Sequence, residues 1–193
     1  MANKFLTAIG SVVAMISPTI ASGYTVTNGT ITYANNKFYT EDSATRMEFP
    51  KTDGNSLTIL AEYLGKTTIT EPLASGVVQE QFGIKLRAAN TCNLVYVMRR
   101  FSPYSRVTIM YKQNIGMTTH EECKDGGYVI VKDISVPAVP IGTTVKLSAK
   151  FDNNILTVTL DDKIVWAGIV DFKQVGVSGF RSDNVKVRFS VLK

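Results

Sequence analysis

The chain has 193 residues, 45% of them apolar and 19% charged, with a net charge of +5. That balance excludes a disordered chain, and the length suits one domain with a full core better than two. The small positive excess would suit an anionic partner, although a charge of this size more often only serves solubility. The two cysteines, Cys92 and Cys123, are too few for a disulfide framework, while a single bridge is open to them in an oxidising compartment.

Residues 1–22, MANKFLTAIGSVVAMISPTIAS, support two readings. One lysine, an apolar run over residues 5–16 and a Thr19-Ile20-Ala21 cleavage site resemble a secretory signal. Alternatively, Phe5, Ile9, Val12, Val13 and Ile16 recur at helical spacing, and Pro18 ends the run. That spacing predicts a short arm that lays its apolar face on another protein or a sister subunit. The run is too short for a bilayer, which takes ~20 apolar residues. The expected division is an arm or signal-like segment over 1–22 and a folded domain over 23–193.

From Tyr24 onward the chain reads as strands and turns, with no convincing long helix. Runs at 57–64, 94–101, 107–112 and 128–132 alternate apolar and polar residues, and Phe82, Ile84, Leu86 and Ala88 oppose Gly83, Lys85 and Arg87. In TVKLSAKFDNNILTVTLDDKIVWAG, Val145, Leu147, Ala149 and Phe151 face one way while Lys146, Ser148 and Lys150 face the other. Asp152-Asn153-Asn154 supplies turn chemistry, because short polar side chains bond the nearby backbone and tolerate positive φ. Leu156, Val158 and Leu160 continue the buried face, Asp161-Asp162 makes a second tight turn, and Ile164 and Trp166 are expected to return to the core. The tail predicts a strand through Val175 and Val177, a turn at Ser182-Asp183-Asn184, and a last strand burying Val185, Val187, Phe189 and Val191. Many strands with one polar face predict an all-β fold of two antiparallel sheets packed face to face.

The segment VKLSAKFDNNILTVTLDDKIV, followed by VGVSGFRSDNVKVRFSVLK, resembles the concanavalin A-like or laminin-G-like jelly roll over about the last quarter of the chain. Asp162 stands where that family usually has glycine, a mild change for a hairpin turn. The resemblance implies a two-sheet sandwich with Trp166 packing near its rim. It implies little about function, since such sandwiches serve as lectins, adhesion modules, glycosidase-attached domains and viral structural proteins.

Signs of catalysis are missing from the sequence. Related glycosidases carry acidic residues alternating along one strand, whereas Glu121 and Glu122 are adjacent and would face opposite sides. The single histidine, His120, has no G-x-S-x-G serine to serve. THEECKDGG, residues 119–127, gathers His120, Glu121, Glu122, Cys123 and Asp125, but without zinc or EF-hand spacing, so a solvated loop is expected. No catalytic residue, metal or cofactor is predicted.

The candidate contact surface is RRFSPYSR, residues 99–106. Arg99, Arg100 and Arg106 flank Phe101 and Tyr104, and guanidinium forks beside aromatic faces would suit an acidic glycan. The plainer alternative is a strand end with exposed arginines and a buried Phe101. Nucleic acid is not expected, because the basic residues are scattered. The reading favoured is a non-enzymatic virion protein, such as a bacteriophage capsid decoration, head-fibre or tail component. It would dock through its arm, form a homo-oligomer and display a lectin-like sandwich. The alternative is a secreted carbohydrate-binding lectin or adhesion module. A glycan-cleaving enzyme would need two carboxylates about 5 to 10 Å apart across a cleft.

Overall fold

The computed structural model describes residues 23–192, so the arm residues Phe5, Ile9, Val12, Val13 and Ile16 lie outside the described residues. In chain order the strands are β1 (Thr25–Asn28), β2 (Thr32–Ala34), β3 (Lys37–Thr40), β4 (Ala44–Phe49), β5 (Ser56–Lys66), β6 (Glu80–Asn90), β7 (Asn93–Ser102), β8 (Arg106–Lys112), β9 (Tyr128–Ser135), β10 (Thr144–Asp152), β11 (Ile155–Leu160), β12 (Lys163–Ile169), β13 (Val177–Asp183) and β14 (Val185–Leu192). One turn of helix, α1 (His120–Cys123), interrupts them.

The strands form two seven-stranded sheets, ordered β1-β4-β13-β6-β7-β8-β9 and β12-β11-β10-β5-β14-β3-β2, with every neighbouring pair antiparallel. The chain is the expected all-β sandwich. Its core is the set of inward residues that the period-two pattern marks: Ile59 and Ala61 on β5, Ile84 and Leu86 on β6, Leu147 on β10, Leu156 and Val158 on β11, and Val187 and Phe189 on β14. Phe180 stacks on Phe189 across the sandwich at 3.8 Å, and Tyr63 stacks on Phe101 at 4.0 Å.

Register shifts break the simple alternation in several strand pairs, and two of them bear on the expected core. In β12 the register shifts opposite Val158 and Thr159: Val158 faces Trp166 while Thr159 faces Ile164, leaving Val165 as the extra residue. Trp166 therefore packs against the core as expected, but Ile164 turns outward and is 68% exposed. Trp166 also explains Gly168, where an added Cβ would sit 2.4 Å from the indole ring.

The second shift lies in β6, where Arg87 adopts φ 48. Ala88 then joins Leu94, Tyr96, Met98 and Met110 on the outer face of the first sheet instead of the core. Arg87 closes one end of the sandwich: its guanidinium donates to Asn55 Oδ1, Phe172 O and Asn153 O and lies 3.9 Å over the Phe151 ring.

The predicted turn at Ser182-Asp183-Asn184 also differs. Only Asn184 turns, with φ 56, and all three residues are fully buried. Val175, expected in a strand, precedes β13 and is 80% exposed.

Candidate functional site

The outer face of the first sheet is unusual because its long polar side chains are themselves buried. Strand registers bring three rows together across it. The first runs Arg46, Arg181, Gly83, Met98, Thr108, Asp133, and the second Glu48, Gly179, Lys85, Tyr96, Met110, Ile130. The third runs Asp183, Gln81, Arg100, Arg106. Glycine at 179 lets Lys85 lie flat, since a Cβ there would come within 2.6 Å of the Lys85 Cε and 2.2 Å of the Met47 carbonyl oxygen.

Asp183 is the electrostatic centre. It accepts from Arg46 Nη2 at 2.6 Å, Arg181 Nε at 2.8 Å and Gln81 Nε2 at 2.7 Å. Burial opposes the charge of this carboxylate, yet Arg181 and Arg46 outweigh it and hold its pKa at about 2. Arg181 is likewise opposed by burial and held protonated by Asp183, and it lies 4.7 Å over the Tyr96 ring. Beside them Lys85 Nζ donates to Glu48 at 2.9 Å, although burial pulls the Lys85 pKa down. Lys112 Nζ reaches the Lys124 carbonyl, lies 3.1 Å from Cys123 Sγ, and sits 5.3 Å over the Tyr128 ring.

Two loops wall this face. Asn184 anchors the 67–79 segment: its Oδ1 accepts from Glu71 N, and its Nδ2 donates to Glu71 O and Gln79 O. On the other side, Asn93 Nδ2 donates to Asn114 O and Met117 O, and a disulfide joins Cys92 to Cys123. The loop between β8 and β9 carries α1, whose capping box pairs Thr119 with Glu122; the backbone N–H groups of Thr119 and Thr118 hold the Glu122 carboxyl below its usual range. The walls enclose a cleft of about 430 Å³ whose lining includes Arg46, Glu48, Lys85, Tyr96, Tyr128 and Arg181. Its fixed donors, carboxylates and phenol rings form a surface suited to polar, ring-shaped molecules.

The RRFSPYSR residues singled out from the sequence fall outside the lining of the cleft, and the structure separates inward Arg99 from outward Arg100 and Arg106. Arg99 is 1% exposed and turned inward, donating to Arg100 O, Ser105 Oγ and Pro137 O, which makes it a clamp on the sandwich end. Arg100 points to the outer face, where its Nε donates to Gln81 Oε1 at 3.0 Å. Arg106 pairs with Asp133 at 2.9 Å and lies 5.0 Å over Tyr104, which is 67% exposed. The THEECKDGG loop contributes His120 and Asp125 to the cleft wall. Among the described residues no three His, Cys, Asp or Glu side chains gather closely enough to hold a metal ion. Sequence reasoning missed Arg46, Lys85, Tyr96, Tyr128 and Arg181. Each reads singly as an ordinary outward strand residue, and the one available signal was the count of charged outward positions on β4, β6 and β13.

No family model matches the sequence, and no curated protein matches it. Solved structures do resemble the fold. Carbohydrate-binding module CBM66 from Bacillus subtilis superposes with a TM-score of 0.63 at 13% identity, over 88% of this chain and 92% of that one. Galectin LEC-6 from Caenorhabditis elegans gives 0.51 at 14% identity, over 82% and 96%. A functionally unknown protein from Saccharomyces cerevisiae gives 0.55 at 11% identity, over 87% and 92%. At such identities the likeness is one of fold, and it agrees with the concanavalin A-like architecture that the C-terminal strands imply.

Proposed function

We propose that this chain is a non-catalytic carbohydrate-binding sandwich whose ligand lies in the cleft on the outer face of the first sheet. The observation that carries this reading is the paved floor itself: paired charges locked by Asp183 and Glu48 beside the Tyr96 and Tyr128 rings, which stack at 6.4 Å. Sugars offer hydroxyls that both donate and accept, together with an apolar ring face, and fixed ion pairs beside aromatic rings meet both needs. Two fold relatives, one a carbohydrate-binding module and the other a galectin, support the same ligand class. Asp183, whose carboxyl is held down near 2 by Arg181 and Arg46, serves as a structural anion and is unsuited to act as a general acid.

The Cys92–Cys123 bond favours an oxidising setting. That setting suits a secreted lectin and a virion-surface attachment protein alike; the narrower virion reading rests on the sequence, chiefly the apolar run over residues 5–16 and the polar stretch that follows it. A mature N-terminus at Ser22 in the natural protein would mark secretion.

The binding reading is tested on a glycan array with the native chain and Tyr128→Ala. Tyr128 is 38% exposed, so its truncation should leave the fold intact while weakening binding about tenfold. Absence of binding to any printed glycan, or equal binding by the variant, would overturn it.

A further inference from the structure

We infer that Arg100 and Arg106 form a subsite beside the cleft for an anionic substituent, a sulfate or carboxylate, carried by the bound glycan. This inference rests on the carbohydrate reading above and extends it to a ligand class.

The arrangement of charge carries it. Arg100 and Arg106 stand directly opposite each other on β7 and β8, a placement in which like charges repel. Across the floor four arginines, Arg46, Arg181, Arg100 and Arg106, share two aspartates, Asp183 and Asp133. Asp183 is already committed to Arg46, Arg181 and Gln81. Asp133 is committed to Arg106 and the Thr108 hydroxyl.

Arg100 is left over. Its Nε is tied to Gln81, which fixes the guanidinium plane, and its two terminal nitrogens make no hydrogen bond among the described residues. The guanidinium is thus a half-buried, pre-oriented fork with a free end, the geometry that takes a carboxylate or sulfate through two parallel bonds. Burial pulls the Arg100 pKa down, Asp133 draws it back, and the adjacent charges of Arg106 and Arg181 pull it down again. An anion seated on the fork would offset the repulsion from Arg106 and Arg181. Tyr104, exposed under Arg106, supplies a ring face at the same end.

Gln81 links this subsite to the cleft, since it donates to Asp183 and accepts from Arg100. An oligosaccharide with one ring at the exposed Tyr128 would run along this polar track, so that a further residue of it brings its substituent to Arg100 and Arg106.

The test is an array on which the same oligosaccharides are printed unmodified, sulfated and as uronates, probed with the native chain, Arg100→Lys, and the double variant Arg100→Gln/Arg106→Gln. The native chain should bind one of the anionic forms about tenfold more tightly than its unmodified parent, with a preference that shrinks as salt rises. The double variant should lose the preference and keep the binding of the unmodified glycan, and Arg100→Lys should keep only part of it. A native chain that binds anionic and unmodified forms equally, or a double variant that retains the preference, would overturn the subsite while leaving the carbohydrate reading in place. Binding of no printed glycan would overturn both. A response to inorganic sulfate equal to that of sulfated glycan would overturn the glycan part.

Discussion

Asp183 concentrates the molecule's electrostatics in one side chain. Its folded pKa, about 2, lies below the usual carboxylate value, so as pH falls the unfolded chain takes up the proton first. The stabilisation is therefore complete above pH ~4 and is lost progressively as pH drops towards 2. A shift of this size corresponds to about 2 kcal/mol. Urea unfolding at pH 5 and pH 2.5 should show a larger loss for the native chain than for Asp183→Asn. At pH 7 the same variant should cost about 3–5 kcal/mol, because it leaves Arg46 and Arg181 facing a neutral amide in a buried site. Equal acid sensitivity in the two proteins would show that Asp183 does not govern it. None of this was legible in the sequence: Asp183 sits beside Asn184 in what reads as an ordinary polar turn, and only its burial within the sheet beside Arg46, Gln81 and Arg181 makes it a hub.

At the scale of elements, the strands were the legible part. In β10, β11 and β14 one face carries Leu147, Leu156 and Phe189 and the other Lys146, Thr157 and Arg188, so burial follows from alternation alone. Legibility fails where a single extra residue enters a strand. The positions of Ala88 and Ile164 depend on bulges at Arg87 and Val165, and a bulge is decided by the pairing partner as much as by the local sequence. The loop bearing α1 is a different case, because its position rests on the Cys92–Cys123 link across 31 residues. Loop-closure entropy makes a link of that span worth about 3–4 kcal/mol. Replacing both cysteines by serine should lower the thermal midpoint accordingly. It should also weaken glycan binding, since His120 and Asp125 hold one wall of the cleft from that loop. Unchanged affinity after the double replacement would show that the wall does not need its anchor.

The two sheets play unlike parts in the whole molecule. The second presents a solvated outer face with Lys146, Lys150 and Arg188, while the first carries a built polar floor. Arg46 and Asp183 are 137 residues apart in sequence and 2.6 Å apart in space, so the site exists only once the sheet order is set. That is why the fold could be read from the chain and the cleft could not. One rim of the second sheet, β12, sets a further property. It leaves Ile164 and Ile169 68% and 73% exposed along a strand that has no neighbour on its far side among the described residues. Such a border would ordinarily template strands from other molecules, yet the extra residue at Val165 kinks it. Deleting Val165 straightens the border without changing which way Ile164 points. The shortened chain should then form sedimenting, thioflavin-positive fibrils under conditions where the parent does not. The irregular residue at Val165 is thus the feature of this border that works against strand addition by another molecule.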